Sequence, residues 1–263
     1  MKIRIITAIA ALIIFLPFVI IGGWPFNLFV YVLATIGLIE LMKMRQISVL
    51  SFPSLLAVVL LWLFLLPQEL FTINVEGLNK INVLLIIVML LLSLTVLLKN
   101  KFTFDHAGFI LLAALYVGMG FFFFIETRDS PNGLINILYV FLIVWATDTG
   151  AYFVGRSLGK RKLWPEISPK KTIEGAIGGI VFATLTGVIY YLITAFSDSI
   201  IIIIGVTILA SIFGQIGDLV ESAFKRHYGV KDSGNIMPGH GGILDRFDSL
   251  LFVFPLLHFI GFM

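Results

Sequence analysis

The chain has 263 residues, of which 59% are hydrophobic and 13% charged, and its mean hydropathy is +1.07. Soluble domains average roughly 45–50% apolar and about 25% charged residues, so a water-soluble fold of this length is excluded: it could not hide so much apolar surface. Cysteine is absent, which removes disulfide frameworks and thiolate metal sites. The net charge of +3 does not call for a nucleic-acid partner, because excess Lys and Arg in a membrane protein report topology.

A helix needs about 20 apolar residues to cross the ~30 Å hydrocarbon core, and about nine such runs follow one another here. They lie near residues 4–22, 25–42, 49–66, 81–98, 106–125, 134–154, 173–195, 199–220 and 242–262. Nothing alternates with the period of a barrel strand, and spanning backbone must bond within itself. The expected fold class is therefore all-α, a polytopic membrane protein of about nine transmembrane helices. The first run follows Met1-Lys2-Ile3-Arg4 and has no small-residue cleavage site behind it. Gly22-Gly23-Trp24-Pro25 leads straight into the next run, so the first reads as a span rather than a removable signal.

Basic residues set the expected orientation. With the N-terminus in the cytoplasm, every second connection falls on that side and carries Lys2, Arg4, Lys43, Arg45, Lys99, Lys101, the basic residues between Arg156 and Lys171, then Lys225, Arg226, Lys231 and Arg246. The opposite side keeps Lys80 and Arg128 beside Glu69, Glu76, Glu126, Asp129 and Asp198. This separation predicts an N-terminus inside and a C-terminus outside; the expected location is the plasma membrane.

Residues 1–130 read as a transmembrane scaffold available for dimer contacts, and residues 131–263 as the catalytic region. Glu40 is the polar exception in the first part, and the expectation is that it snorkels to the interface. Phe121 to Phe124 are expected to face lipid or neighbouring helices.

Three polar segments carry the chemistry. In residues 148–156, Asp148, Tyr152 and Gly155 are spaced i, i+4, i+7 and share a helix face. An acid at membrane depth is costly, although one near a span end can also simply reach water. In residues 159–175, Ser168-Pro169-Lys170-Lys171-Thr172 stands at a helix start. A basic loop that holds topology explains the charge. A phosphate site at the electropositive start of the seventh span, capped by Thr172, explains the placement as well. Gly175, Gly178 and Gly179 follow at close-packing spacing. In the third segment Asp218, Glu221, Ser222 and Lys225 share one helical face, with Gly214 one turn earlier admitting a neighbouring backbone. Pro238-Gly239-His240-Gly241-Gly242 then opens the last span, where Asp245 and Asp248 share a face. Hard oxygen donors without Cys suit Mg²⁺ rather than Zn²⁺, and cations beside acids suit a metal-bridged nucleotide triphosphate.

The run Ser222-x-Phe224-Lys225-Arg226-x4-Lys231-Asp232-x-Gly234-x3-Pro238-x-His240-Gly241-Gly242-x2-Asp245-Arg246-x-Asp248 resembles the signature of the phosphatidate cytidylyltransferases. The specific resemblance covers about residues 145–250, and residues 1–130 match only as hydrophobic spans. It implies an enzyme that converts CTP and phosphatidic acid to CDP-diacylglycerol and pyrophosphate, with Mg²⁺, as a homodimer. By resemblance Asp218 and Asp245 are the leading metal candidates, followed by Asp248, Glu221 and Asp148. Lys170, Lys171, Lys225, Arg226, Lys231 and Arg246 would hold phosphates, and Ser222 and His240 would orient groups, all around a cavity facing the cytoplasm. Three rivals remain: a CTP-using lipid kinase, which would release CDP; an ion or phosphate transporter; and a catalytically dead scaffold, which is disfavoured because the acids and bases of the signature are all present. Against the transporter, the polar residues cluster at the cytoplasmic ends rather than at a midplane between repeated halves.

Overall fold

The computed structural model describes residues 2–67, 80–197 and 199–263. Among them the elements run α1 Lys2–Ile21, α2 Gly23–Met44, α3 Phe52–Leu65, α4 Lys80–Leu97, α5 Phe104–Asp129 and α6 Gly133–Leu158. They continue with β1 Lys162–Trp164, β2 Ser168–Thr172, α7 Ile173–Thr194, α8 Ile200–His227, α9 Leu244–Phe247 and α10 Leu250–Phe259. Each predicted run falls on a helix, the last on the pair α9 and α10. Five helices, α2, α5, α6, α7 and α8, are long and apolar enough to cross a bilayer, while α1, α3, α4 and α10 contribute shorter apolar stretches. Glu69, Glu76 and Asp198 of the charge separation lie outside the described residues, as do the side chains of Lys2, Arg4 and Lys80.

The fold is helical as expected, with one addition: β1 and β2 form an antiparallel hairpin in which Lys162 faces Thr172 and Trp164 faces Ser168. The helix starts are written in the sequence. Ser51 and Thr103 accept hydrogen bonds from the backbone N–H of Ser54 and His106. Thr172 accepts one from Gly175 at 3.1 Å, so the hairpin's second strand ends in the cap of α7.

The most extensive helix pair is α6 with α7, and the glycines of α7 make it so. A Cβ added to Gly178 would stand 2.5 Å from Val154 Cβ, and one on Gly179 would stand 2.8 Å from the Thr147 carbonyl oxygen. Polar glue supplements this packing: Tyr139 Oη meets Thr207 Oγ1 at 2.7 Å, and Thr147 Oγ1 donates to Ser211 Oγ at 2.9 Å. Gly214, expected to admit a backbone, has only ordinary contacts beginning at Val253 Cγ2, 3.4 Å from an added Cβ. The close approach is one turn later, where a Cβ on Gly217 would lie 2.5 Å from the Asp248 carbonyl oxygen.

That approach is possible because the last span, expected to be continuous over residues 242–262, is broken at Asp248–Ser249. The Ser249 N–H donates to Asp248 Oδ1 at 2.7 Å, a side-chain acceptor competing with the helical ladder.

The core is aromatic and is built from both parts of the chain. Phe121 and Phe124 are fully buried and belong to a cluster with Phe15, Phe26, Phe141, Phe247 and Phe254, so they face neighbouring helices and not lipid. At the end of the bundle remote from Asp148 and Asp218, Arg128 donates to the carbonyls of Val19 and Ile20 at 2.6 and 2.9 Å, and Thr127 Oγ1 meets His258 Nε2 at 3.0 Å. The outside is apolar: Trp24, Val96, Ile193 and Ile201 are each more than two-thirds exposed, a surface that suits acyl chains and not water.

Gly178→Val is expected to lower stability by about 1–3 kcal/mol through overpacking of the α6–α7 seam. A thermal ramp of the detergent-solubilised protein, followed by size-exclusion recovery, checks this; an unchanged midpoint would mean that the seam is not tight.

Candidate active site

The C-terminal turns of α6 and α8, the hairpin and the start of α7 enclose a cavity of about 430 Å³. Asp148, Tyr152, Arg156, Lys170, Lys171, Gln215 and Asp218 are among the residues lining it. The sequence brings Asp148, Tyr152 and Gly155 to it because they share one face of α6, as predicted. The hairpin delivers Lys170 and Lys171 from β2, immediately before the Thr172 cap. Glu174 secures the turn by accepting from the backbone N–H groups of Lys160 and Arg161 at 3.0 and 3.2 Å.

Inside this cavity Lys171 Nζ lies 2.5 Å from Asp218 Oδ2, and Ser222 Oγ donates to Asp218 Oδ1 at 3.3 Å. Asp148 and Asp248 both stand close enough to Asp218 to be repelled by it, and Lys171 and Arg246 attract Asp148 in return. Three acids from α6, α8 and the break before α10 therefore share one electrostatic neighbourhood.

A second charged group is more fully buried. Lys225 is held between Glu221 and Asp245, the latter at 2.6 Å, and all three side chains are largely buried. Asp245 has further donors: Oδ2 accepts the backbone N–H groups of Ser233 and Gly242, both at 2.8 Å, and stands 2.9 Å from Ser233 Oγ. Gly241 adopts a positive φ of 82° in this turn, where a side chain is strained and would also run into the Asp245 carboxylate. Lys225 is thus engaged inside the protein and does not line the cavity.

The remaining sequence-predicted residues have separate places. Arg226 donates to the Ile167 carbonyl at 3.2 Å and ties α8 to the hairpin. Lys231 is exposed. Arg246 donates to the His240 carbonyl at 2.9 Å. His240 Nδ1 meets Thr7 Oγ1 at 2.7 Å, so α1 touches the glycine-rich loop.

Four side chains went unassigned in the sequence. Arg156, which donates to Tyr152 Oη at 3.1 Å, and Gln215 line the cavity, and their helical register with Tyr152 and Asp218 was the available signal. Ser233 links to Asp245 inside the signature itself. Glu40 corrects an expectation outright. It does not snorkel; it is 4% exposed and accepts from Ile243 N–H at 2.9 Å, Leu244 N–H at 3.0 Å and Ser233 Oγ at 2.9 Å. The signal for Glu40 was the lone acid in an apolar run.

Among the described residues, no three His, Asp or Glu side chains form a ready metal cage. The donor set nevertheless fits a hard cation that shares its ligands with a substrate. Repelling carboxylates at Asp148, Asp218 and Asp248 and a buried Glu221 Oε1 without a hydrogen-bond partner are what such an ion would relieve. Asp245, with four donors already, fits less readily than Asp218.

An all-helical membrane bundle with acids and lysines gathered around a cavity at one end is the class of intramembrane enzyme that handles phosphate-bearing substrates. The chain matches the model of the cytidylyltransferase family over residues 2–263 and belongs to that family. It is 53% identical over 261 residues to the phosphatidate cytidylyltransferase of Bacillus subtilis, covering 99% of this chain and 97% of that one. It is also 51% identical to the proteins of that name in Staphylococcus haemolyticus and Staphylococcus aureus, covering 99% of this chain and 98% of each of theirs.

Lys225→Met is expected to cost about 3–5 kcal/mol, because it leaves two buried carboxylates without their cation. Yield and thermal midpoint of the purified variant check this; wild-type stability would mean that Glu221 and Asp245 do not depend on Lys225.

Proposed function

We propose that this chain is a phosphatidate cytidylyltransferase, transferring CMP from CTP to phosphatidic acid to give CDP-diacylglycerol and pyrophosphate. The observation that carries this is the cavity where Lys170 and Lys171 of the hairpin meet Asp148 and Asp218, in a chain so similar along its whole length to proteins of that name.

In this reading a phosphatidate phosphate oxygen attacks the α-phosphorus of CTP in line, and the bond from that phosphorus to the pyrophosphate oxygen breaks. The attacking oxygen is already anionic near neutral pH, so no strong general base is required. Lys171 would leave Asp218 for an incoming phosphate, an exchange favoured by the partial water access of both side chains. Lys170, Arg156 and Arg246 would neutralise charge on the departing pyrophosphate. Asp218, with Asp148 and Asp248, would hold Mg²⁺, which would supply positive charge against the substrate phosphates. Asp245, Glu221 and Lys225 would support these acids from behind, and His240 would hold the loop through Thr7 rather than act as a base.

The cavity would face the cytoplasm of a plasma membrane, with CTP arriving from water and the lipid sideways from the bilayer. Support for this comes from the basic residues Lys43, Arg45, Arg156, Lys160 and Lys231 at the cavity's end of the bundle. The dimer rests on the family resemblance.

Detergent-solubilised protein given labelled CTP and phosphatidic acid is expected to release pyrophosphate and form CDP-diacylglycerol only with Mg²⁺. Asp218→Ala and Asp245→Ala should each lose most activity while still inserting. Release of CDP in place of pyrophosphate would identify a lipid kinase, and near-normal turnover in both variants would remove the site assignment.

Because the chain has no cysteine, single cysteines report sidedness directly. Lys160→Cys is expected to be shielded from an impermeant thiol reagent in intact cells and Ser130→Cys to be labelled; the reverse pattern would invert the orientation.

A further inference from the structure

Glu40 and the signature loop are about two hundred residues apart, with hydrogen-bonded partners at separations of 193, 203 and 204. Residues 233–243 carry no helix or strand, and their internal backbone hydrogen bonds are confined to the tip, where Met237 bridges Gly241 and the His240 N–H donates to the Met237 carbonyl at 2.9 Å. The Glu40 carboxylate is placed across both ends of this loop. One oxygen accepts the Ile243 N–H, and the other accepts the Leu244 N–H and faces the Ser233 hydroxyl. The same hydroxyl stands 2.9 Å from Asp245 Oδ2 and accepts from the Asp245 N–H at 3.4 Å. It has a single proton to give to two carboxylates. A continuous chain of contacts therefore runs from Glu40 through Ser233 to Asp245, and from Asp245 to Lys225 and Glu221. Gly234 and Gly242 lie so close that a Cβ on either would collide with the Glu40 carboxylate. The site's salt bridges do not include Glu40, so neutral donors hold it. A buried acid solvated in that way adds little to stability compared with an apolar residue. What it does supply is a fixed position for the loop and for the start of the broken last helix.

We propose that Glu40 is a positioning residue of the transfer site, a role that rests on the cytidylyltransferase activity proposed above. From the end of α2 it fixes residues 233–244, and with them the places of Asp245, Arg246 and Asp248 relative to Asp218. Two backbone N–H donors, one on each oxygen, require a carboxylate. Glutamine has the same shape but only one acceptor oxygen, and aspartate is one methylene too short.

The test uses the full-length detergent-solubilised protein with Mg²⁺, CTP and phosphatidic acid, and compares Glu40→Gln, Ser233→Ala, the double variant and Asp218→Asn. Glu40→Gln is expected to insert and elute as wild type does while kcat per folded molecule falls at least about tenfold, the effect of a misplaced reacting group. Both KM values should stay within about threefold. Because Glu40 and Ser233 share a contact in one chain, the double variant should lose less than the product of the two single effects. If activity falls only in proportion to the amount of folded protein, or if kcat stays within about twofold of wild type, Glu40 is structural and the proposal is overturned. Should Glu40→Gln fail to accumulate, Ser233→Ala carries the same expectation of reduced kcat at unchanged KM, and wild-type kcat there overturns it. Inactive Asp218→Asn beside fully active Glu40→Gln removes this inference alone, whereas fully active Asp218→Asn removes the site reading beneath it.

Discussion

An ammonium group cannot sit inside an apolar bundle without carboxylates around it, and Lys225 meets that constraint by drawing together three stretches of chain. Its own helix, α8, supplies Glu221, and the opening of the last span supplies Asp245. Through Asp245 the loop from Ser233 to Gly242 is gathered in. Everything nearer the cavity is arranged around this anchor: Asp218 projects one turn before Glu221 on α8, and Asp248 one turn after Asp245. Lys171 arrives across the gap from the hairpin. The charged residues thus divide into a buried set, Glu221, Lys225 and Asp245, that holds the backbone and a more exposed set, Asp148, Lys171 and Asp218, that lines the chamber.

That division explains what was legible in the sequence and what was not. The helical runs were visible because lipid demands long apolar stretches, and the shared faces of Asp148 with Tyr152 and of Asp218 with Ser222 followed from helical periodicity. Thr172 as a cap followed from its place before an apolar run. Periodicity gives the face of a residue but not what lies opposite it. Nothing local indicated that Lys225 would turn inward to Asp245 while Lys171 turned to Asp218, or that Gly217 and not Gly214 would meet a backbone. The β1–β2 hairpin was hidden because Lys162 to Trp164 is too short, and Ser168 to Thr172 too polar, to read as a strand.

Glu40 was misread for the same reason. An acid near a helix end normally reaches water, and only the loop folding back from residues 233–244 changes its surroundings. The resemblance, confined in its motifs to residues 145–250, left the first helices as scaffold. The aromatic cluster that joins Phe15 and Phe26 to Phe247 and Phe254 and the Thr7–His240 contact make those helices part of the wall around the glycine-rich loop. The family match over residues 2–263 agrees with that continuity.

The two rims of the bundle are unlike. Behind Asp148, α6 offers Val144, Ile143, Phe141 and Val140, all buried, and at the remote rim Arg128 closes on the last carbonyls of α1. Buried side chains of α6 thus stand behind the chamber, and in the reading proposed above they would let charged substrates enter at one end of the bundle while the other stays shut.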